Sequence, residues 1–119
     1  IRRLGAGLAA FRQDLGARMA TTTVVVMTEF GRRVAENASF GTDHGRGSAM
    51  FVLGGGVKGG RVLGGWPGLK PESLEGPGDL PVWNNYRNVL ASVLRRHGAA
   101  PDSLARIFPD FTLAPLDLM

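Results

Sequence analysis

Apolar side chains recur at Ile1, Leu4, Leu8, Phe11, Leu15 and Met19. Steps of three and four residues put them on one face, so the pattern predicts an amphipathic helix over Ile1–Ala20, with Arg2, Arg12, Asp14 and Arg18 mostly elsewhere. Gly5, Gly7 and Gly16 each cost a helix roughly 1 kcal/mol relative to alanine, so this one relies on docking for stability. The period then changes. Thr21–Thr28 is a β-branched run with no polar alternation beyond its start. Such a run suits a strand covered on both faces, as in a parallel sheet, and a helix followed by a buried strand is half of an α/β unit.

From Gly31 to Leu69 the pattern is loop and short strand. Eleven of the 18 glycines fall between Gly41 and Gly68, which calls for unusual backbone angles or close approach. Ser48–Leu53 and Arg61–Leu63 read as short strands, with Gly54-Gly55-Gly56-Val57-Lys58-Gly59-Gly60 turning the chain between them. Trp66-Pro67-Gly68 closes the segment, and Lys70–Pro81 is a connector. A second helix follows Asn84 and Asn85, either of which suits a cap, and buries Tyr86, Val89, Leu90, Val93 and Leu94 before Gly98 ends it. A short helix is expected over Asp102–Ile107, stopped by Pro109, with an extended tail to Met119.

Length and composition narrow the classes. The chain has 119 residues, 44% hydrophobic and 20% charged, enough for one small domain. No apolar run approaches the roughly 20 residues that cross a bilayer. The absence of cysteine excludes a disulfide framework, a thiolate zinc site and cysteine catalysis. Arginine supplies 12 of the 14 basic residues, all but Lys58 and Lys70, and the net charge is +4. Guanidinium groups suit phosphate or carboxylate, but these are scattered and lack interleaved aromatics, so the pattern argues against a nucleic-acid surface. The sequence opens at Ile1 without a methionine or a signal-like apolar region, and the expectation is a piece of a longer protein.

Two stretches carry candidate chemistry. Glu29, in Thr28-Glu29-Phe30-Gly31-Arg32-Arg33, falls at the carboxyl end of the first strand, where open α/β sheets bind ligands. It suits a metal ligand or general base; the alternatives are an N-terminal helix carboxylate or a surface partner for Arg32 or Arg33. In Gly41-Thr42-Asp43-His44-Gly45-Arg46-Gly47, carboxylate and imidazole are ordinary ligands for zinc and related divalent ions. Adjacent side chains diverge, so Asp43 and His44 address two ions, or one binds while its neighbour orients; a plain surface turn is the alternative. Arg46 suits a phosphate or sulfate held by its fork. Lys58 lacks the Gly-Lys-Ser/Thr context of a phosphate loop, and His97 reads as a helix C-terminal residue favoured by the dipole.

The succession Val24-Val25-Val26-Met27-Thr28-Glu29-Phe30-Gly31-Arg32, Gly41-Thr42-Asp43-His44-Gly45-Arg46-Gly47, Gly54-Gly55-Gly56-Val57-Lys58-Gly59-Gly60 and Trp66-Pro67-Gly68-Leu69 resembles the bacterial family known as domain of unknown function 1501. The Tyr86–Arg96 helix and Ile107-Phe108-Pro109 match its C-terminal end. The resemblance implies the C-terminal part of a much longer, periplasmic or exported protein carrying a twin-arginine signal. It also implies the α/β/α sandwich of the alkaline phosphatase and sulfatase superfamily, whose members hydrolyse phosphate or sulfate esters with one or two divalent ions. In that superfamily a late strand often ends in Ser/Thr-Asp-His-Gly, whose Asp and His bind metal. Two registers fit. Thr42-Asp43-His44-Gly45 matches by type, whereas Thr28-Glu29-Phe30-Gly31 follows the strand directly but puts Glu29 in the Asp place and Phe30 in the His place. The implied roles are Asp43, His44 and Glu29 as ligands of a zinc-like ion, and Arg46 or Arg32 neutralising the transferred group. The nucleophile and remaining ligands are expected upstream, in the same polypeptide. Alternatively, the chain is a non-catalytic exported binding or assembly module. A piece separated from its sheet neighbours is also expected to self-associate through the edges of the Thr21–Thr28 strand.

Overall fold

A computed structural model describes residues 1–114 and 116–119 and shows a mixed α/β arrangement. The chain opens with helix α1 (Arg2–Leu15), which tightens into a 3-10 helix over Gly16–Thr21. Strands β1 (Thr23–Val26), β2 (Gly31–Glu36), β3 (Thr42–Gly45) and β4 (Phe51–Gly54) follow, then helices α2 (Tyr86–Arg96) and α3 (Pro101–Ile107). The strands make two separate two-stranded antiparallel sheets, β1 with β4 and β2 with β3.

Several expectations change here. The first strand shortens to Thr23–Val26, because the 3-10 helix runs on through Thr21. Its observed neighbour is β4 and the pairing is antiparallel, with Val24 opposite Leu53 and Val25 opposite Val52, rather than the parallel sheet its composition suggested. The second expected strand, Ser48–Leu53, moves to Phe51–Gly54, and Arg61–Leu63 forms none. The Gly54–Gly60 run therefore does not close a hairpin. It receives the C-terminal tail instead: the Lys58 amide donates to the Leu118 carbonyl at 2.9 Å, while Lys58 and Arg61 both pair with Asp117.

The helices follow their capping and spacing signals, but Tyr86, expected in the buried stripe of the second helix, is 46% exposed while Ala91 is buried, and α1, expected to dock, buries no residue. Asn85 caps α2, its side-chain oxygen accepting from the Arg87 amide at 3.0 Å. At the other end Gly98 takes φ 91°, the left-handed geometry that lets the chain leave a helix without a Cβ clash. His97 donates its amide to the last turn, while its Nε2 lies 2.9 Å from Thr23 Oγ1, tying α2 to β1. Pro101 starts α3 at a position where no amide is needed. Among the described residues, the buried hydrophobic side chains are Val89 and Ala91 of α2, Leu104 of α3 and Leu118 of the tail. No residue of α1 is buried. Among the described residues, no helix is long and apolar enough to cross a membrane.

The β2–β3 pair depends on glycine. Gly31 sits opposite Gly45, and a Cβ on Gly45 would lie 2.6 Å from the Arg32 carbonyl carbon and 2.8 Å from its oxygen. These are backbone atoms, which cannot swing away as the end of a side chain does. Gly45→Ala is therefore expected to destabilise by about 1–3 kcal/mol, as overpacking does, read as a lower urea midpoint.

The tail makes a second prediction. The hydrogen bond from Lys58, aided by the charges of Lys58 and Arg61, holds the Asp117 carboxyl below its ordinary 3.8 despite some opposing desolvation. A carboxylate depressed on folding helps at pH values above its unfolded pKa, and the help is lost as pH falls through the lower folded value. Protection of the Lys58 amide against hydrogen exchange should thus persist from neutrality to about pH 4 and weaken only below that. Asp117→Asn should remove this pH dependence.

Candidate functional site

The two competing tetrapeptides meet in space. Thr28-Glu29-Phe30-Gly31 runs from the end of β1 into β2, and Thr42-Asp43-His44-Gly45 is β3 itself, with Gly31 opposite Gly45 and Arg32 opposite His44. The Phe30 ring stacks on the His44 imidazole, centroids 4.3 Å apart and planes 21° from parallel. The residue that stands in the His place of one register thus lies against the histidine of the other. Close backbone approach makes this possible, since Arg32 N donates to Gly47 O at 3.0 Å and Gly47 N to Leu80 O at 2.8 Å.

Asp43 and His44, expected in a loop, are successive residues of a strand, so their side chains leave opposite faces. On the Asp43 side, Asn37 Nδ2 donates to Oδ1 at 2.9 Å, and Arg33 Nη1 lies 3.7 Å from Oδ2. Arg33 is shared, its Nε also reaching Asp79 Oδ1 at 3.2 Å. On the His44 side stand Phe30 and Arg32. Arg32 Nη1 donates to the Thr42 carbonyl at 2.7 Å, and Arg32 lines a shallow depression of about 520 Å³ with Val34, Glu36, Phe40, Gly41 and Thr42. Arg46 is ion-paired with Glu75.

Glu29 is exposed in the bend between β1 and β2. The neighbouring Thr28 hydroxyl lies 3.0 Å from that of Ser48 and also donates to the Phe30 carbonyl at 3.0 Å. Arg32 and Arg33, the suggested surface partners of Glu29, are engaged elsewhere. Among the described residues, no three His, Asp or Glu side chains gather as a metal-binding group. Asp43 and His44 fit a divalent ion in kind but not in number, because one strand offers one donor to each side. A metal centre here needs donors from beyond this hairpin.

Sequence reasoning missed Asn37, Asp79 and Glu75, and offered Arg33 only to Glu29 rather than to Asp43 and Asp79. Asn37 carried a readable signal: its side-chain oxygen accepts from the amides of Ser39 and Gly41 at 3.0 and 3.1 Å, closing the turn from β2 to β3. Asn followed four residues later by Gly, between strands, is a hairpin pattern. Asp79 and Glu75 carried none, since they arrive from the Lys70–Pro81 connector through bridges of Asp79 with Arg33 and Glu75.

The Arg33–Asp43 pair is exposed, with side-chain accessibilities of 38% and 57%. A double-mutant cycle with Arg33→Gln and Asp43→Asn should give a coupling below about 1 kcal/mol. A larger coupling would mean that Asp43 is chiefly an anchor for the arginine.

No curated protein and no solved structure matches the chain. A family model, described as a protein of unknown function (DUF1501), matches residues 1–107. The match runs from α1 through α3 and includes both tetrapeptides and the glycine contact between them. The chain therefore belongs to the DUF1501 family.

Proposed function

We propose that the chain is the C-terminal part of a metal-dependent phosphate- or sulfate-ester hydrolase with an alkaline-phosphatase-like α/β/α sandwich, completed by polypeptide outside these residues. The observation that carries the reading is the stacking of Phe30 on His44, which brings both Thr-x-x-Gly tetrapeptides to one place. His44 from one face of β3 and Asp43 from the other would each contribute a donor, with Glu29 at the neighbouring bend. Because these side chains leave opposite faces, they would serve separate ions or one would bind while its neighbour orients, and a divalent ion so held would supply Lewis-acid polarisation of the ester oxygen. Phe30 fixes the imidazole plane, and Asn37 fixes the carboxylate. Arg32, beside His44, would neutralise a bound phosphate or sulfate with the part of its guanidinium not given to the Thr42 carbonyl. Arg46 would do so only after release from Glu75. The nucleophile lies in the remainder of the polypeptide, and the reading carries with it export by the twin-arginine route.

A second reading is favoured by one observation: Asp43 is already satisfied by Asn37 and Arg33. On that reading the family member is a non-catalytic binding module that keeps the scaffold without the ion.

The readings part on the full-length gene product, purified without chelator. The hydrolase reading expects stoichiometric zinc or a similar ion and hydrolysis of p-nitrophenyl phosphate or sulfate. It also expects His44→Ala and Asp43→Asn each to lower kcat/KM by at least about 100-fold, some 2.7 kcal/mol of transition-state stabilisation. Unchanged metal content and turnover in both variants would overturn it.

A further inference from the structure

We propose that the depression beside His44 takes an anionic ester whose alcohol part carries a cationic nitrogen, that is, the phosphate or sulfate ester of a short amino alcohol. The inference rests on the ester-hydrolase reading above for the identity of the anionic group, and it names the rest of the molecule.

The first reason is the face on which the charges stand. Residues directly opposite each other in an antiparallel ladder share a face, as do residues two apart on one strand. Arg32 is opposite His44 and Glu36 is opposite Thr42, so these four side chains belong to one face of the hairpin. The irregularity in β2 lies between the two pairs and sets the four steps from Arg32 to Glu36 against only two on β3. At about 3.3 Å per residue, the backbones at Arg32 and Glu36 are therefore spaced by roughly 7 Å, as on β3, instead of the ~13 Å of a regular strand.

Despite that spacing the two charges do not pair. Arg32 Nη1 donates to the Thr42 carbonyl at 2.7 Å, and Glu36 enters no ion pair among the described residues. Both line the depression of about 520 Å³, with Val34 between them in sequence. That volume falls within the roughly 300–1,000 Å³ of small-molecule sites. A ligand carrying an anion at one end and a cation at the other meets both charges at once. A simple anion meets Arg32 alone and has Glu36 against it.

The second reason is Phe40. It stands at the hairpin tip with φ 57°, a left-handed conformation rare for a side chain of this size, and it is 92% exposed. The turn holds it there: the Phe40 amide donates to the Asn37 carbonyl at 3.1 Å, and the Asn37 amide to the Gly41 carbonyl at 2.8 Å. Its ring thus lines the depression at the end where Glu36 stands. A carboxylate attracts any cation and an aromatic ring any apolar group, whereas the two together favour an alkylated ammonium. Hydrolysis of such an ester adds water across its P–O or S–O bond and releases phosphate or sulfate and the free amino alcohol, so water is the sole co-reactant.

Calorimetric titration of the full-length gene product tests the pairing of charges. The probes are phosphocholine and neohexyl phosphate, the isostere in which carbon replaces the ammonium nitrogen. Phosphocholine should bind about tenfold more tightly, a difference of ~1.4 kcal/mol. Glu36→Gln, which removes the charge, and Phe40→Leu, which removes the aromatic face, should each cut that preference to about threefold or less. Both side chains are exposed, so neither change disturbs the interior. Equal affinity for the two esters, no binding of either, or a preference that both variants keep would overturn the proposal. Metal content and p-nitrophenyl phosphate turnover on the same sample report separately on the hydrolase reading. A preference for phosphocholine without metal or turnover keeps the binding depression and removes the hydrolase; turnover without the preference does the reverse.

Discussion

The contact between Gly31 and Gly45 is the constraint on which the arrangement of candidate residues depends. With no Cβ on either residue, β2 and β3 approach until Gly45 lies against the Arg32 carbonyl. That approach sets Arg32 opposite His44 and brings Phe30 over the imidazole. It also lets Gly47 continue the ladder to Leu80, which draws the connector and its Asp79 toward Arg33. The glycines near Asp43 and His44 thus have a packing purpose that is independent of any bound anion.

The scarcity of interior explains why so much else is held by polar ties. Leu104 is 2% exposed, and only three other hydrophobic side chains among the described residues count as buried. Individual surface hydrogen bonds and ion pairs each contribute little net stability, so they orient segments more than they hold the fold together. The tail illustrates this: Asp117 meets Lys58 and Arg61, Asn88 receives the Ala114 amide at 2.9 Å, and among the described residues of the tail only Leu118 is buried. Apolar burial, the main driving force of folding, is largely unspent in this chain.

Helical structure was legible because its signals are local. The three-and-four spacing of Leu4, Leu8, Phe11 and Leu15, the Asn85 cap and Gly98 each act within a turn or two. Pro101 likewise started α3 close to where its sequence suggested. Strand partners were not legible in the same way. Val24-Val25-Val26 announces a strand, but pairing with β4 is a non-local choice that its own residues do not encode. β2 and β3 were missed because arginine, aspartate and glycine are poor strand formers, here held extended by their mutual ladder. The Asp43–His44 pair was visible as chemistry, whereas its opposite-facing geometry follows from that missed strand.

Whether the partners of Asp43 bar it from binding an ion is a question of magnitudes. Arg33 is 3.7 Å away, both side chains are substantially exposed, and such a pair contributes about 1 kcal/mol or less. Arg33 also retains Asp79 at 3.2 Å, so its charge is not stranded if Asp43 turns away. The Asn37 bond is one neutral donor to a carboxylate and can remain on Oδ1 while Oδ2 takes another partner. Metal ligation releases far more than this, with structural zinc sites contributing on the order of 10 kcal/mol. The local contacts of Asp43 therefore weigh against a ligand role by only a small free energy, and further donors reaching the hairpin would outweigh them.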